Sequence, residues 1–157
     1  GMVFSVGYHF FGDRALAEDL AQEVFLGLFR SLDRIQSDAH LAHWLRQAVT
    51  RKCIDQARWG RHHATHSLDR IPEPSHSPDA PDPFLSQAVR NRGLALPEKM
   101  RLMIILRFQE EMELSEIGET LSVPVNTVKS TLHRALDLLR DKLSAFTEVK
   151  RYGTTRA

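Results

Sequence analysis

Apolar residues recur at helical spacing along most of this chain, and no run alternates long enough to make a sheet. In ALAEDLAQEVFLGLFRSLDRI, Leu16, Leu20, Val24 and Leu28 return at i+4 spacing, and Ala21, Phe25 and Leu32 widen the stripe. That pattern predicts a helix with one buried face. The other side carries Asp19, Gln22, Glu23, Leu26 and Arg30, acidic at one end and holding one apolar residue. Helix spacing alone leaves two readings for this second stripe: a solvated face with one exposed leucine, or a docking face for a partner. After a loop-like QSDAH, the segment LAHWLRQAVTRKCIDQARWGRHH repeats Leu41, Leu45, Val49 and Cys53 at i+4, which predicts a further helix with Cys53 on its buried side.

The helical pattern then stops and resumes. Five of the seven prolines fall between Pro72 and Pro83, in IPEPSHSPDAPDPF, with Ser, His and Asp among them and almost nothing to bury. Such a stretch reads as a linker. Beyond it, Pro97 is placed to open a helix in LPEKMRLMIILRFQEEM. Leu102, Ile105 and Leu106 share its apolar side, and Met103, Ile104 and Phe108 predict burial on several sides. A short helix, ELSEIGETL, follows with Leu114, Ile117 and Leu121 on one stripe. Gly118 sits inside it, and a mid-helix Gly costs about 1 kcal/mol relative to Ala, so a close packing contact, such as a crossing helix, is expected there. SVP breaks the chain, with Pro124 at the cap or first turn of the last helix, VNTVKSTLHRALDLLRDKL. Val128, Leu132, Leu136, Leu139 and Leu143 form its predicted core stripe.

The expected fold is all-α: two small helical domains joined by a Pro-rich linker, the second a helix-turn-helix domain. The boundaries are residues 2–66, a linker over 67–83, a second unit over 84–145 and a polar tail over 146–157. Gly1 ahead of Met2 reads as a residue left by tag removal.

Charge changes the picture locally, not globally. The formal net charge is +1, so bulk electrostatics give no case for nucleic acid binding. Between Trp44 and His66, however, Arg46, Arg51, Lys52, Arg58 and Arg61 face a single acid, Asp55, with Trp44, Trp59 and histidines among them. Cations beside aromatics suit a nucleic acid backbone and unstacked bases. The plainer reading pairs Arg51 and Arg58 with Asp55 along the helix and leaves the other cations unexplained. In the second unit, the side of the last helix opposite its core presents Asn126, Thr127, Lys129, Ser130, His133 and Arg134. Short donors and long cations at a helix start are what major-groove recognition uses. Helix, short turn and helix is the helix-turn-helix order.

Other chemistry is not supported. His62, His63, His66 and His76 have no thiolate or acidic partner at a recognisable spacing, so no metal site is expected. No Gly-rich phosphate loop, nucleophile elbow or carboxylate cluster points to an enzyme or a cofactor, and His9 and Cys53 suggest no triad. The single cysteine excludes an internal disulfide and fits a reducing, cytoplasmic setting. No apolar run reaches the roughly 20 residues of a membrane span, so no membrane insertion is expected.

Together the motifs resemble one family. AEDLAQEVFLGLF resembles region 2.2 of bacterial sigma-70-family sigma factors, and AHWLRQAVTRKCIDQARWGRHH resembles regions 2.3 and 2.4. LPEKMRLMIILRFQEEMELSEIGETLSVPVNTVKSTLHRALDLLRDKL resembles region 4. With regions 1 and 3 missing and a short linker, the resemblance is to the extracytoplasmic function (ECF) group. It implies a transcription initiation factor that binds core RNA polymerase and directs it to promoters through their −10 and −35 elements. Asp19, Gln22, Glu23 and Leu26 would dock on the β′ clamp helices. The loop from Ser37 to Ala42 and the helix bearing Trp44, Arg46, Arg51, Lys52, Arg58 and Arg61 would engage the −10 element. Asn126, Thr127, Lys129, Ser130, Thr131, His133 and Arg134 would read the −35 element, and the helices before them would touch the β flap. An anti-sigma factor is a further implied partner. Against the family pattern, Arg51 stands where Asn is frequent, Thr131 where Arg is usual, Ser122 in place of the turn Gly and Gly118 in place of Ala. The family also carries more of a first helix before YHFFGDRALAEDL. The rival reading is a stand-alone helix-turn-helix regulator with an N-terminal sensing or dimerisation domain.

Overall fold

The computed structural model describes residues 1–63 and 93–153, with side chains described over 1–60 and 93–144. The expected linker over 67–83 and the side chains of Arg61, His62, His63, His66 and His76 lie outside that description. All regular structure among the described residues is helical. In chain order it comprises α1 (Met2–Phe11), α2 (Arg14–Phe29), a 3₁₀ turn (Leu32–Arg34), α3 (Asp38–His63), α4 (Glu98–Ile104), α5 (Leu114–Leu121) and α6 (Val125–Gly153). Past its last α-helical residue, α4 widens into a π turn over Ile105–Gln109. The last helix continues to Gly153, beyond position 145, where the second unit was expected to give way to a tail.

Local signals set the corners. Gly12 ends α1 at φ 67°, donating its N–H to the Tyr8 carbonyl at 2.8 Å. A left-handed residue just past a helix end is the usual glycine stop. Asp13 then caps α2, its Oδ1 accepting from the Leu16 N–H at 3.0 Å. At α5, Glu113 and Glu116 form a reciprocal capping box. Ser122 closes α5 in the left-handed region (φ 54°, ψ 46°), and the Val123 N–H returns to the Gly118 carbonyl at 2.9 Å. The Pro124 carbonyl opens α6 by accepting from Thr127 and Val128. Helix, turn and helix therefore follow where the proline-marked break placed them.

The two helical units share one apolar core. Val6 and Phe10 of α1, Leu20 and Val24 of α2, and Val49 and Cys53 of α3 are buried with Leu102, Leu106, Ile117 and Val128 of the second unit. Most predicted stripes face this core, but four residues do not. Phe25 and Leu32 are half exposed, because the buried arc of α2 runs through Ala17, Leu20 and Val24 and leaves them to one side. Phe108 is also exposed: α4 and its π turn bury Leu102, Met103, Ile105 and Leu106, and Phe108 falls on the far side of that arc. On α6, Ala135 rather than Leu136 continues the line of Val128 and Leu132, so Leu136 is turned outward. Gly118 does answer a close contact, but a different one from that expected. A Cβ there would lie 2.9 Å from the Val123 carbonyl oxygen, so the turn itself, not a crossing helix, excludes a side chain.

Candidate nucleic-acid and partner interfaces

The exposed side of α2 carries Asp19, Gln22, Glu23 and Leu26, all open to solvent. Phe25, Phe29 and Leu32 adjoin them, with Phe29 at 74% exposure. Together they form an exposed apolar strip rimmed by polar residues, the composition common to interaction surfaces. The five-residue stripe seen in the sequence, which also holds the exposed Arg30, is thus part of a larger patch. Phe29 could have been found, since it follows Leu26 and Phe25 at helical spacing; Phe25 and Leu32 had been read as core.

α3 divides the expected −10 residues into two sets. Trp44 is half-buried, its ring edge over Gly27, where a Cβ would meet it at 3.4 Å. Between α2 and α3 a hollow of about 280 Å³ is lined by Trp44, Arg51, Lys52, Asp55, Glu23 and Gly27, among others. Lys52 reaches across to α2 and pairs with Glu23 at 2.5 Å. The α2 patch and the basic helix are therefore joined by an ion pair between residues that line one hollow. Arg51 and Arg58 are exposed. Arg46 belongs to the other set: it turns toward α5 and lies 3.7 Å from Glu116. Sequence reasoning gave no signal for this contact.

The face at the start of α6 is continuous. Asn126, Thr127, Lys129, Ser130, His133 and Arg134 are exposed on the side opposite Val128, Leu132 and Ala135, and Thr131 is half-buried between them. Helical hydrogen bonds hold part of the face: Ser130 Oγ donates to the Thr127 carbonyl at 3.2 Å and Arg134 Nε to that of Ser130 at 3.4 Å. His133 lies 2.9 Å from Asp137, which Arg140 also meets at 3.2 Å. The first N–H groups of a helix lack intrahelical acceptors and favour anions, so donors and phosphates would meet at this end.

Among the described residues, no group of three His, Cys, Asp or Glu side chains is placed to hold a metal ion. No helix there is long and apolar enough to cross a membrane. Burial pushes the Cys53 thiol up to about 12, so it is neither nucleophile nor ligand in the closed core.

Known proteins resemble the chain in both units. Residues 1–62 match sigma-70 region 2, and residues 94–141 match sigma-70 region 4. The ECF RNA polymerase sigma factor SigW of Bacillus subtilis is 30% identical over 154 residues, covering 90% of this chain and 82% of that protein. The ECF RNA polymerase sigma factor SigE of Mycolicibacterium smegmatis is 30% identical over 90% of this chain and 57% of its own length. The sigma factor RpoE of Bartonella quintana, solved in complex with the anti-sigma factor NepR, has the same fold at a TM-score of 0.75 and 20% identity, over 90% of this chain and 89% of that one. The chain belongs to the ECF group of sigma-70-family RNA polymerase sigma factors.

Proposed function

We propose that this sigma factor binds core RNA polymerase through the exposed face of α2 and brings it to promoters through α3 and the start of α6. The observation that carries this reading is the pairing of an unburied apolar-acidic patch on α2 with two separate donor- and cation-bearing faces. A stand-alone regulator needs a DNA face but has no use for the patch on α2 or for the second basic helix. Asp19, Gln22, Glu23 and Leu26 dock on the polymerase β′ clamp helices, with Phe25, Phe29 and Leu32 supplying apolar area beside them. Trp44, Arg51, Lys52, Arg58 and Arg61 serve the −10 strand: the hollow walled by Trp44 suits one unstacked base, and the cations at its rim suit phosphates. Arg46 serves the same strand once it is free of Glu116. Asn126, Thr127, Lys129, Ser130, Thr131, His133 and Arg134 read the −35 duplex in the major groove. The outward Phe108 supports a β-flap contact for α4. The protein does this work in the cytoplasm, as an initiation factor and not a catalyst. A solved relative carries an anti-sigma factor, which supports an inhibitor of that class here.

The test is co-elution with bacterial core polymerase on a sizing column. Wild type should co-elute, and Leu26→Glu should not while keeping its helical circular dichroism. Retained association of the Leu26→Glu protein would reduce the α2 patch to ordinary surface. Operator binding as a dimer without polymerase would favour the stand-alone regulator.

A further inference from the structure

Arg46 is the one cation of the basic helix that meets the second unit in an ion pair among the described residues, and its partner is held in place. The Glu116 carboxylate, 3.7 Å from Arg46, also accepts from the Glu113 N–H at 2.8 Å within the α5 capping box, so it is not free to swing aside. A second acid of the same unit, Glu110, is placed beside Ser5 and His9 of α1 and within the field of Arg46. Glu116 therefore meets this guanidinium as a phosphate of a DNA strand would, with the charge of Glu110 nearby.

The joint that presents them is fastened by Arg101. Its Nη1 donates to the Phe10 carbonyl at 2.7 Å, across 91 positions of chain, and its Nη2 donates to the Leu94 and Leu96 carbonyls. The guanidinium lies over the Phe10 ring, 5.1 Å from its centroid. The last carbonyls of α1 have no intrahelical donor and mark the negative end of that helix, so an arginine from α4 suits them in hydrogen bonding and in charge.

We propose that the second unit acts as an internal competitor for the −10 strand: in the free protein Glu116 of α5 occupies Arg46 in place of DNA, and Arg46 becomes available only when the joint between α1/α3 and α4/α5 opens. The masking is one-sided. The α6 face from Asn126 to Arg134 is exposed in the same closed arrangement, so the −35 reader is free while part of the −10 reader is engaged. This inference rests on the assignment of Arg46 to the −10 face. It goes further by naming what holds Arg46 before polymerase and promoter arrive.

The test uses the full chain and a short fluorescein-labelled oligothymidylate, because a phosphate contact does not depend on sequence. Glu116→Gln removes the charge yet keeps a residue that serves the capping box. Glu119→Gln makes the same charge change on the same helix, at a residue that forms no ion pair with Arg46. Glu116→Gln should bind the oligonucleotide about two- to five-fold tighter by anisotropy, the range for losing one partly exposed ion pair, and Glu119→Gln should bind like wild type. Adding Arg46→Ala to Glu116→Gln should cancel the gain. Equal gains from both glutamine variants would mean general charge repulsion and overturn the proposal. An absent gain, with Arg46→Ala still weakening wild type, would overturn it while leaving the −10 assignment standing. If Arg46→Ala has no effect in either background, the −10 assignment of Arg46 falls and the proposal with it.

Discussion

Ser122 stands where the resemblance expects the turn Gly, and Gly118 where it expects Ala. The turn after α5 needs a left-handed residue, and Ser122 adopts φ 54° there without the freedom of glycine. Gly118 is kept bare because its missing Cβ would sit 2.9 Å from a backbone carbonyl that cannot move without breaking the turn. Ser122→Gly should therefore raise stability by about 0.5–1 kcal/mol in urea unfolding. Gly118→Ala should lower it by about 1–3 kcal/mol, the range for overpacking a tight site. The sequence marked Gly118 as a close approach. It could not say what approached, since a mid-helix glycine looks the same whether it faces another helix or its own turn. Glu110 shows a second effect at this scale. Burial, the main cause, raises its pKa, against smaller opposing pulls from Arg46, His9 and Ser5. The folded protein thus holds a proton that the unfolded chain has lost, between the ordinary Glu value and the raised one. Stability should fall as pH rises through that window. Glu110→Gln should flatten that slope in a series of melting temperatures against pH.

At the scale of elements, periodicity located α2 to α6 with most of their buried faces, but not α1, whose Val3, Val6 and Phe10 enter the core. It misjudged the flanks of those faces. Leu136 was read as core where Ala135 is buried, because a leucine outweighs an alanine in any hydrophobic pattern although only the smaller residue lies on the arc. Phe25 and Leu32 were assigned to the core for the same reason, yet they lie beside Leu26 and Phe29 on the outer surface. Hydrophobicity records that a side chain leaves water; it does not record whether it does so within the chain or against another protein. The start of α6 was more legible, since donors and cations opposite an apolar stripe have few structural uses. Arg134→Ala, on that exposed face, should cost about 1–3 kcal/mol of −35 duplex affinity within the polymerase complex while leaving the thermal melt of the free protein unchanged. Unaltered affinity would remove Arg134 from the DNA face.

The arrangement of the two units could not be read from the sequence, because it depends on contacts between residues far apart in the chain. No local pattern ties Arg101 to the Phe10 carbonyl or Arg46 to Glu116. Arg101 belongs to no stripe or charged face that the sequence singles out. In the fold its guanidinium satisfies three carbonyls, and burial lowers its pKa against smaller contrary pulls from Glu98 and Cys53. Arg101→Ala should destabilise the closed form by at least about 2 kcal/mol, since buried carbonyls would lose their donors. The same variant should show a larger radius of gyration by small-angle scattering. An unchanged radius and melt would mean that apolar packing alone joins the units.

Cys53 adds a way to time that joint. The only thiol of the chain lies fully buried on α3, near enough to Arg101 for the two to influence each other's titration. A thiol reagent can reach it only during an opening, so the labelling rate counts openings per unit time and needs no added probe. If the units part before the chain unfolds, labelling will run faster than global unfolding and faster still in Arg101→Ala. If the two rates coincide, the closed molecule opens only by coming apart completely, and the interval between labelling events is the lifetime of the fold itself.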